Sequence, residues 1–412
     1  MSNSELDILL YGQEQRRIMT LGLERIRHAL IERGHPCDKI PAIQVAGTNG
    51  KGSIAAFIHS TLRMAGIRSG LTISPHLVSW CERIQIDGEA IGSEILRQRL
   101  EALQPLRQQL QLSAFELITL AALEHFADNA VELLILEVGL GGRLDATTAH
   151  PLRPLIGLGS IGADHCEHLG DSLAAITREK SAIITRGCLV ASAKQDPVVH
   201  TVLEDTCQSE RAVLQWVRPL PPDWILGIQG QLQRENAAVA HALLQRLGRL
   251  GWALDETTIR KGLAYTRWPG RLQHMHWYQR PILVDGAHNA PAAVRLAAER
   301  KCWPKGHYSC TWILGIQLNK QGIDMVRCLV RPNDCCWIVP VPGFASWNWH
   351  TLTESCPELS QALHDAKDAE IALHQLACSG PWPNPVPIIA GSLHLIGSLL
   401  SRGALQAEWE DP

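Results

Sequence analysis

The sequence lacks several features that would assign it at once to a common class of protein. Its 12 cysteines include no C-x-x-C pair, which argues against a zinc ribbon or a disulfide framework. No apolar run reaches the roughly 18 residues of a membrane span, and the first residues contain no apolar signal core. The net charge of −3 offers no basic field for nucleic acid. We therefore expect a soluble cytoplasmic protein that binds neither nucleic acid nor membrane and holds anions through local groups.

The sequence does contain a repeated alternation of strand and helix patterns. Hydrophobic residues make up 46% of the 412 residues and charged residues 19%, which is enough apolar material for packed cores. The unbroken apolar run VELLILEVGLGG at 131–142 is typical of a parallel strand covered on both faces. A second alternation begins near residue 280. We predict an α/β protein with a larger domain over residues 1–275 and a smaller, Rossmann-like domain over residues 276–412.

The periodicity also places individual elements. Strands are predicted at 40–47, 67–74, 131–142, 154–162, 188–193, 311–316, 335–342 and 386–391, and a further strand is predicted within the segment RPILVDGAHN at 280–289. Helices are predicted at 5–33, 53–65, 93–110, 115–127, 231–248, 255–263 and 290–300.

The segment AGTNGKGS at 46–53 follows a predicted strand and opens a predicted helix. Glycines let backbone N–H groups turn toward an anion, and the helix N-terminus adds partial positive charge. Lys51 can reach the outer phosphates of a nucleotide. Val45 and Gly52 depart from the G-x-x-x-x-G-K-[ST] pattern, which disfavours ordinary P-loop kinases and GTPases. The nucleotide-binding residues predicted in this loop are Thr48, Asn49, Gly50, Lys51, Gly52 and Ser53.

This loop resembles that of the Mur ligase superfamily, and its GTNGKGS version is similar to the folylpolyglutamate synthase and dihydrofolate synthase family. Further blocks resemble that family in the same order along the chain. They are SPHL at 74–77, ERI at 82–84, SAFE at 113–116, LEVGLGGRLDAT at 136–147, IGADH at 161–165, Glu179-Lys180, Asn236, Arg271 in WPGR, and DGAHN at 285–289. The last third matches more weakly. The resemblance implies a P-loop, Mur-ligase-like central domain that binds ATP and a Rossmann-like C-terminal glutamate-ligase domain.

The chemistry implied by this resemblance is ATP-dependent activation of a carboxylate. The γ-phosphoryl group moves to the carboxylate to give an acyl-phosphate, which the amine of L-glutamate then attacks. The family binds Mg²⁺, with two ions expected and K⁺ as a further candidate. The resemblance assigns metal ligation to Ser74, Glu137 and His165, and catalytic roles to Lys51, His165 and a carbamylated Lys180. From the residues alone, Glu137 could instead be an ion-paired structural acid, and Lys180 a surface lysine.

The same resemblance implies further contacts to the nucleotide and the pterin. Nucleotide contacts are expected from Asn236, Arg271, Asp285 and His288, with the nucleotide between the two domains. The pterin end of dihydropteroate is expected at Ser113, Ala114, Phe115, Glu116, Leu144, Asp145 and Ala146. Phe115 could equally be a core residue. Thr148 stands where the family usually has asparagine, and Asn319-Lys320-Gln321 lacks the usual acidic residue, so the glutamate site stays unassigned.

We therefore expect a ligase that adds L-glutamate to dihydropteroate, to tetrahydrofolate or to both, acting as a monomer and bifunctional as dihydrofolate synthase and folylpolyglutamate synthase. The first alternative is another amino-acid ligase of the Mur superfamily, of the cell-wall or cyanophycin type. The second is a P-loop ATPase or nucleotide-binding regulatory module. The third is an inactive homologue that only binds ligand, against which the presence of Lys51, Ser74, Glu137 and His165 argues.

Overall fold

The computed structural model describes residues 3–11, 21–303 and 309–407. The chain forms two compact units, the first comprising residues up to Gly227 together with Gln233–Thr266, and the second comprising Ile228–Leu232 and the chain from Arg267 onward. No helix within the described ranges is both long enough and apolar enough to cross a membrane.

The first unit is built from eight strands and the helices that cover them within the described residues. The strands are β1 Ala42–Ala46, β2 Ser69–Thr72, β3 Ile84–Ile86, β4 Glu89–Ala90, β5 Leu133–Glu137, β6 Leu155–Leu158, β7 Leu189–Ser192 and β8 Val213–Trp216. The helices are α1 Asn3–Tyr11, α2 Glu24–Glu32, α3 Lys51–Met64, α4 Ser93–Ala102, α5 Gln104–Leu110, α6 Ala114–Asp128, α7 Cys166–Leu169, α8 Leu173–Ser181, α9 Pro197–Ser209, α10 Gln231–Leu244 and α11 Glu256–Ala264.

These strands form one sheet in the order β4-β3-β2-β5-β1-β6-β7-β8. The six neighbouring strands β2, β5, β1, β6, β7 and β8 are parallel to one another. At the edge of the sheet, β3 pairs antiparallel with β2, and β4 pairs antiparallel with β3. Every residue of β5 is buried, which confirms the central parallel strand predicted from its apolar run. Val45 pairs with Glu137. The loop after β1 and the acid at the end of β5 therefore lie at the same edge of the sheet, where the parallel strands have their carboxyl ends.

Two predicted helices are interrupted. The stretch 93–110 divides into α4 and α5 at Leu103, where Pro105 lies in the first turn of α5; proline has no N–H for the preceding turn and crowds its carbonyl. The stretch 5–33 gives α1 and α2, and residues 21–23 between them are not helical. Residues 12–20 of that prediction lie outside the described residues.

The helix that follows the Gly-rich loop packs unusually closely on α11. A Cβ at Gly262 would lie 2.4 Å from Cα of Thr61 in α3. The Ser60 hydroxyl donates a hydrogen bond to the Gly262 carbonyl at 2.8 Å. Because only a hydrogen atom fits at residue 262, the backbones of the two helices meet without a side chain between them.

The second unit contains a seven-stranded sheet within the described residues, in the order β13-β12-β11-β14-β10-β9-β15. Its strands are β9 Gln273–Trp277, β10 Arg280–Val284, β11 Thr311–Leu314, β12 Cys335–Ile338, β13 Leu363–Asp365, β14 Ile388–Ala390 and β15 Gln406–Ala407. Its helices are α12 Ala290–Glu299, α13 Gly322–Leu329, α14 Trp349–Ser355, α15 Ala369–Cys378 and α16 Leu393–Ser401.

The five neighbouring strands β13, β12, β11, β14 and β10 are parallel to one another. The strand β9 pairs antiparallel with β10, and β15 pairs antiparallel with β9. The boundary expected between residues 275 and 276 falls inside β9, whose antiparallel pairing with β10 belongs to this second sheet. The predicted fold class, an α/β protein with two parallel-sheet units, is confirmed.

Candidate active site

The Gly-rich loop is clamped between two neighbouring segments. Gly47 and Gly50 have φ angles of 140° and 88°, in the region that glycine adopts without strain. A Cβ at Gly47 would lie 3.0 Å from the backbone of Gly159, and one at Gly50 would lie 2.4 Å from Oδ1 of Asn236. The structure therefore brings Asn236, from α10, against the predicted phosphate loop.

The threonine of the loop fixes it from the other side. The Thr48 hydroxyl donates to the Gly162 carbonyl at 2.9 Å and accepts from the Gly162 N–H at 3.0 Å. The backbone N–H groups of Thr48 and Asn49 both donate to the Ser160 carbonyl. These bonds hold the loop in shape without a ligand, so an anion that binds there meets a preorganised surface.

Helix α3 begins directly after the loop and has no side-chain cap, because its N-cap residue is Gly50. The Ser53 hydroxyl is buried and has no hydrogen-bond partner among the described residues. The first N–H groups of a helix attract anions, and a buried hydroxyl without a partner is costly. This end of α3, with Gly52 and Ser53 in its first turn, therefore has polar groups that could hold a phosphate or a cation that accompanies one.

Two lysines converge on the loop. Lys51 Nζ donates to the carbonyls of Gly47 and Thr48, each at 3.2 Å, and Lys180 Nζ from α8 donates to the Gly47 carbonyl at 3.1 Å. Lys180 is 4% exposed. Burial, and next the charge of Lys51, lower the pKa of Lys180 to about 7, against the opposing influence of Asp164 and Asp145. A large fraction of Lys180 is therefore neutral near pH 7.

The predicted metal ligands come from three segments. Glu137 is buried at the end of β5, and its Oε2 accepts the N–H of Ser74 at 3.1 Å. His165 precedes α7 with a φ of 52°, and its Nε2 lies 3.8 Å from Asp164 Oδ2. Within the described ranges, no three His, Cys, Asp or Glu side chains are arranged so that they could hold a metal ion together. The expected set differs from such a cluster, since it combines one acid, one imidazole and one serine.

The segment SAFE has a structural explanation in part. The Ser113 hydroxyl accepts the Glu116 N–H at 3.3 Å, and the Glu116 carboxylate accepts the Ser113 N–H at 2.8 Å. This capping box begins α6, and Arg25 adds an ion pair to Glu116 at 3.1 Å. The S-x-x-E spacing is a known helix-start signal that could have been recognised from the sequence.

The remaining predicted pterin contacts surround the loop after β5. A Cβ at Gly139 would lie 2.7 Å from the ring of Phe115, which is half-buried, as are Ala114 and Leu144. Asp145 Oδ2 accepts the N–H groups of Gly139 and Leu140 at 2.9 and 3.0 Å. Burial raises the pKa of Asp145, while hydrogen bonds from Thr147, Leu140 and Gly139 lower it. Asp145, followed by the buried Ala146, thus fixes the loop against which Phe115 lies.

A buried polar network behind this loop was not foreseen from the sequence. The Gln44 amide in β1 donates to the hydroxyls of Thr147 and Thr148 at 3.0 and 2.9 Å and accepts from Arg153 Nη1 at 2.6 Å. The Thr148 hydroxyl donates onward to the Gly142 carbonyl at 2.8 Å. Threonine at 148 therefore keeps a hydrogen-bonding role where the family usually has asparagine. The detectable signal was a glutamine inside an apolar strand.

The backbone of the segment 74–83 is held in a turn by hydrogen bonds to Glu82, an acid of the same segment. Glu82 accepts the N–H groups of Leu77, Val78 and Ser79 at 2.7, 2.8 and 2.7 Å. Next to it, Arg83 Nε donates to His76 Nδ1 at 2.9 Å. These contacts explain the structural part of the SPHL and ERI motifs.

In the second unit, three predicted nucleotide contacts gather around the turn after β10. Asp285 accepts the N–H groups of Leu272 and Ala287 at 3.0 and 2.9 Å. Burial raises its pKa, and the charge of Arg271 lowers it. A Cβ at Gly286 would lie 2.2 Å from Arg271 Nη1, and His288 Nδ1 lies 2.8 Å from the Gly286 carbonyl.

The chain is similar to proteins of one family over nearly its whole length. Residues 271–402 match the family model described as the dihydrofolate synthetase C-terminal domain. The chain is 31% identical to the dihydrofolate synthetase of Saccharomyces cerevisiae over 92% of this chain and 97% of that protein. It is 33% identical to the dihydrofolate synthase/folylpolyglutamate synthase of Bacillus subtilis, over 68% of this chain and 72% of that protein.

Solved structures agree with these sequence relationships. The fold matches Mycobacterium tuberculosis folylpolyglutamate synthase, a structure complexed with ADP and AMPPCP, with a TM-score of 0.85 and 26% identity. The match covers 98% of this chain and 99% of that one. The resemblance inferred from the motifs is therefore confirmed, and this chain belongs to the dihydrofolate synthase and folylpolyglutamate synthase family of ATP-dependent ligases.

Proposed function

We propose that this chain adds L-glutamate both to dihydropteroate and to reduced folates, through an acyl-phosphate formed from ATP. The observation that carries the proposal is the meeting of Lys51 and Lys180 on the Gly47 carbonyl, beside the uncapped start of α3. The relatives bear names for both activities, which supports acceptance of both acids.

The loop would bind the terminal phosphates of ATP. The N–H groups in the first turn of α3 and the Ser53 hydroxyl would donate hydrogen bonds to one anion, and the Lys51 ammonium would supply positive charge. Asn236 adds a polar side chain beside Gly50. Phosphoryl transfer depends mainly on positioning and charge neutralisation. The clamped geometry of the loop suits it to positioning.

The residues at the end of β5 fit a divalent cation. Glu137 is a buried carboxylate with one oxygen oriented by the Ser74 N–H, and buried acids of this kind bind metals or pair with cations. Mg²⁺ held by Ser74, Glu137 and His165 would neutralise charge on the transferred phosphoryl group.

We further propose that Lys180 is carbamylated. The reaction needs a neutral amine, and the pKa of Lys180, lowered to about 7 by burial, supplies it near neutral pH. The Nζ lone pair forms a bond to the carbon of CO₂ while one C=O π bond breaks and its electron pair moves to oxygen, and one N–H proton leaves to water. The product is an anionic carbamate in place of a buried neutral amine next to Lys51.

The pterin would lie against Phe115, Leu144 and the backbone that Asp145 holds in place. Arg271, Asp285 and His288 are the proposed nucleotide contacts of the second unit. Arginine offers a planar fork for phosphate oxygens, and an aspartate can accept from ribose hydroxyls.

The test offers dihydropteroate and tetrahydrofolate separately with ATP, Mg²⁺ and L-glutamate, and measures ADP release and product mass. We expect glutamate-dependent ADP release with each acid and a product heavier by one glutamyl residue. ADP release with neither acid would refute the proposal. Activity with a UDP-sugar-peptide acceptor instead would identify a cell-wall type of ligase.

A further inference from the structure

The arginine of the ERI motif has no role in the scheme above, although the structure holds it in a defined position. Arg83 Nε donates to His76 Nδ1 at 2.9 Å, and its guanidinium carbon lies 4.2 Å from the centre of the Trp80 ring. The Trp80 indole N–H is itself fixed by Asp7 at 2.8 Å. An aromatic face and an imidazole thus orient the fork of Arg83.

The sheet register places Arg83 level with the predicted metal ligand Glu137. Thr72 of β2 pairs with Ile84 of β3 on one side and with Leu136 of β5 on the other. One residue further along, the Ile73 N–H donates to the Arg83 carbonyl at 3.3 Å. Paired residues of neighbouring strands point to the same face of a sheet. Arg83 and Glu137 therefore point to the same face, with Ile73 between them.

Arg83 is a cation without a partner acid in the described ranges. No carboxylate of residues 3–11, 21–303 or 309–407 forms an ion pair with it. The half-buried side chain uses only Nε for a hydrogen bond with described residues, which leaves its terminal nitrogens open to a ligand. Burial lowers the pKa of Arg83 to about 10, and the neighbouring Tyr11 and Glu137 oppose this shift, so the guanidinium stays charged at neutral pH.

The proposed reaction brings another carboxylate to this edge of the sheet. The carboxylate that receives the phosphoryl group must approach the phosphate loop and Glu137. There the negative charge of Glu137 repels the negative charge of the substrate carboxylate. A planar guanidinium pairs with a carboxylate through two parallel hydrogen bonds. We propose that Arg83 binds the carboxylate of the acid that is to be activated and orients it toward the phosphate loop. This inference rests on the proposed function and adds a specificity residue to it.

The test compares two ligands that differ only in that carboxylate. They are dihydropteroate and its analogue with hydrogen in place of the carboxylate, each titrated in the presence of AMPPCP and Mg²⁺. We expect the wild-type chain to prefer the acid, and Arg83→Gln to lose about 10- to 100-fold of that preference, the usual value of a hydrogen bond to a charged group. The analogue should bind both proteins alike.

Kinetics and two further variants sharpen the result. In Arg83→Gln the KM for dihydropteroate should rise while the KM for ATP stays within about twofold. Arg83→Lys keeps the positive charge but not the planar guanidinium, so its preference for the acid over the analogue should be intermediate. If Arg83→Gln does not fold, the comparison of Arg83→Lys with the wild-type chain tests the inference. Arg97→Gln, which removes a half-buried arginine paired with Glu94 and Glu101 on α4, is the matched control and should behave as wild type.

Two results would overturn the inference while leaving the function intact. In the first, Arg83→Gln weakens the acid and the analogue equally, as a purely structural role requires. In the second, the preference for the acid survives the substitution. Failure of the proposed function is separate from both, since the wild-type chain would then form no glutamyl product from either acid.

Discussion

Each unit of this protein contains a turn from a central parallel strand into a helix, and the two turns are built in opposite ways. After β1, α3 starts at Gly50 with no side-chain cap, and Ser53 keeps a buried hydroxyl without a partner among the described residues. After β10, Asn289 caps α12 by accepting the Ala292 N–H at 2.9 Å, and Asp285 accepts the Ala287 N–H. The first turn leaves its polar groups available for an anion, whereas the second satisfies them internally.

The difference separates two uses of one supersecondary unit. A helix start that binds phosphate must leave polar groups unsatisfied in the free protein, which lowers its stability. A capped start gains stability and gives up that binding capacity. The lysines follow the same division, since Lys51 and Lys180 both lie at the uncapped turn.

The largest effect should come from removing the cation or the acid beside the uncapped turn. We expect Lys51→Ala and Glu137→Ala each to lower glutamate-dependent ADP release by about 1,000-fold or more, because charge neutralisation dominates phosphoryl transfer. Circular dichroism should show an unchanged fold. Lys39→Ala, which removes an exposed lysine, is the matched control. Normal turnover in purified Lys51→Ala or Glu137→Ala would contradict the site assignment.

A smaller effect should follow from titrating Lys180. Its pKa of about 7 lies below the ordinary value of 10.5, so the neutral amine predominates above pH 7 and declines below it. Carbamylation should therefore fall about tenfold for each pH unit well below 7. We expect activity in CO₂-depleted buffer to drop and to recover with bicarbonate, and ¹³C-bicarbonate to give a carbamate signal. Lys180→Ala should lose about 100-fold in rate and should not respond to bicarbonate. Full activity without CO₂, together with the absence of a carbamate signal, would exclude carbamylation of Lys180.

The smallest effects concern stability, and their signs should differ between the two turns. In nucleotide-free protein, Ser53→Ala should raise the free energy of unfolding by up to about 1 kcal/mol, because it removes a buried hydroxyl without a partner. Asn289→Ala should lower it by about 1 kcal/mol through loss of the cap. Urea unfolding monitored by fluorescence measures both. Equal destabilisation by the two variants would show that the turns do not differ in this way.

Much of this architecture could be predicted from the sequence, because its main strands are strongly apolar. The run at 131–142 gave β5, and the Gly-rich segment gave the turn into α3. The short β3 and β4 were missed, since three and two residues carry too little alternation to be recognised. The strand β9 was missed because its antiparallel pairing with β10 depends on tertiary contacts.

The candidate site was predictable in its residue types but not in their surroundings. The motif marked Lys180, yet its Glu-Lys neighbourhood also suits a helix surface. Its burial arises from packing, since a Cβ at Gly142 would lie only 3.0 Å from the Lys180 carbonyl. The ion pair of Glu116 and the network around Gln44 likewise depend on distant parts of the chain, such as Arg25 and Arg153.

The contact between Gly262 and Thr61 has a consequence for reading sequence variation in this family. Helix α3 cannot shift away from α11 without opening a void, nor can residue 262 gain a side chain without pushing α3 and the loop before it. A mutational scan scored by enzyme activity would then rank Gly262 beside Gly47 and Gly50, although it lies outside the predicted phosphate loop. Intolerance to substitution at residue 262 would then reflect the packing of α3 against α11 rather than a direct part in the reaction.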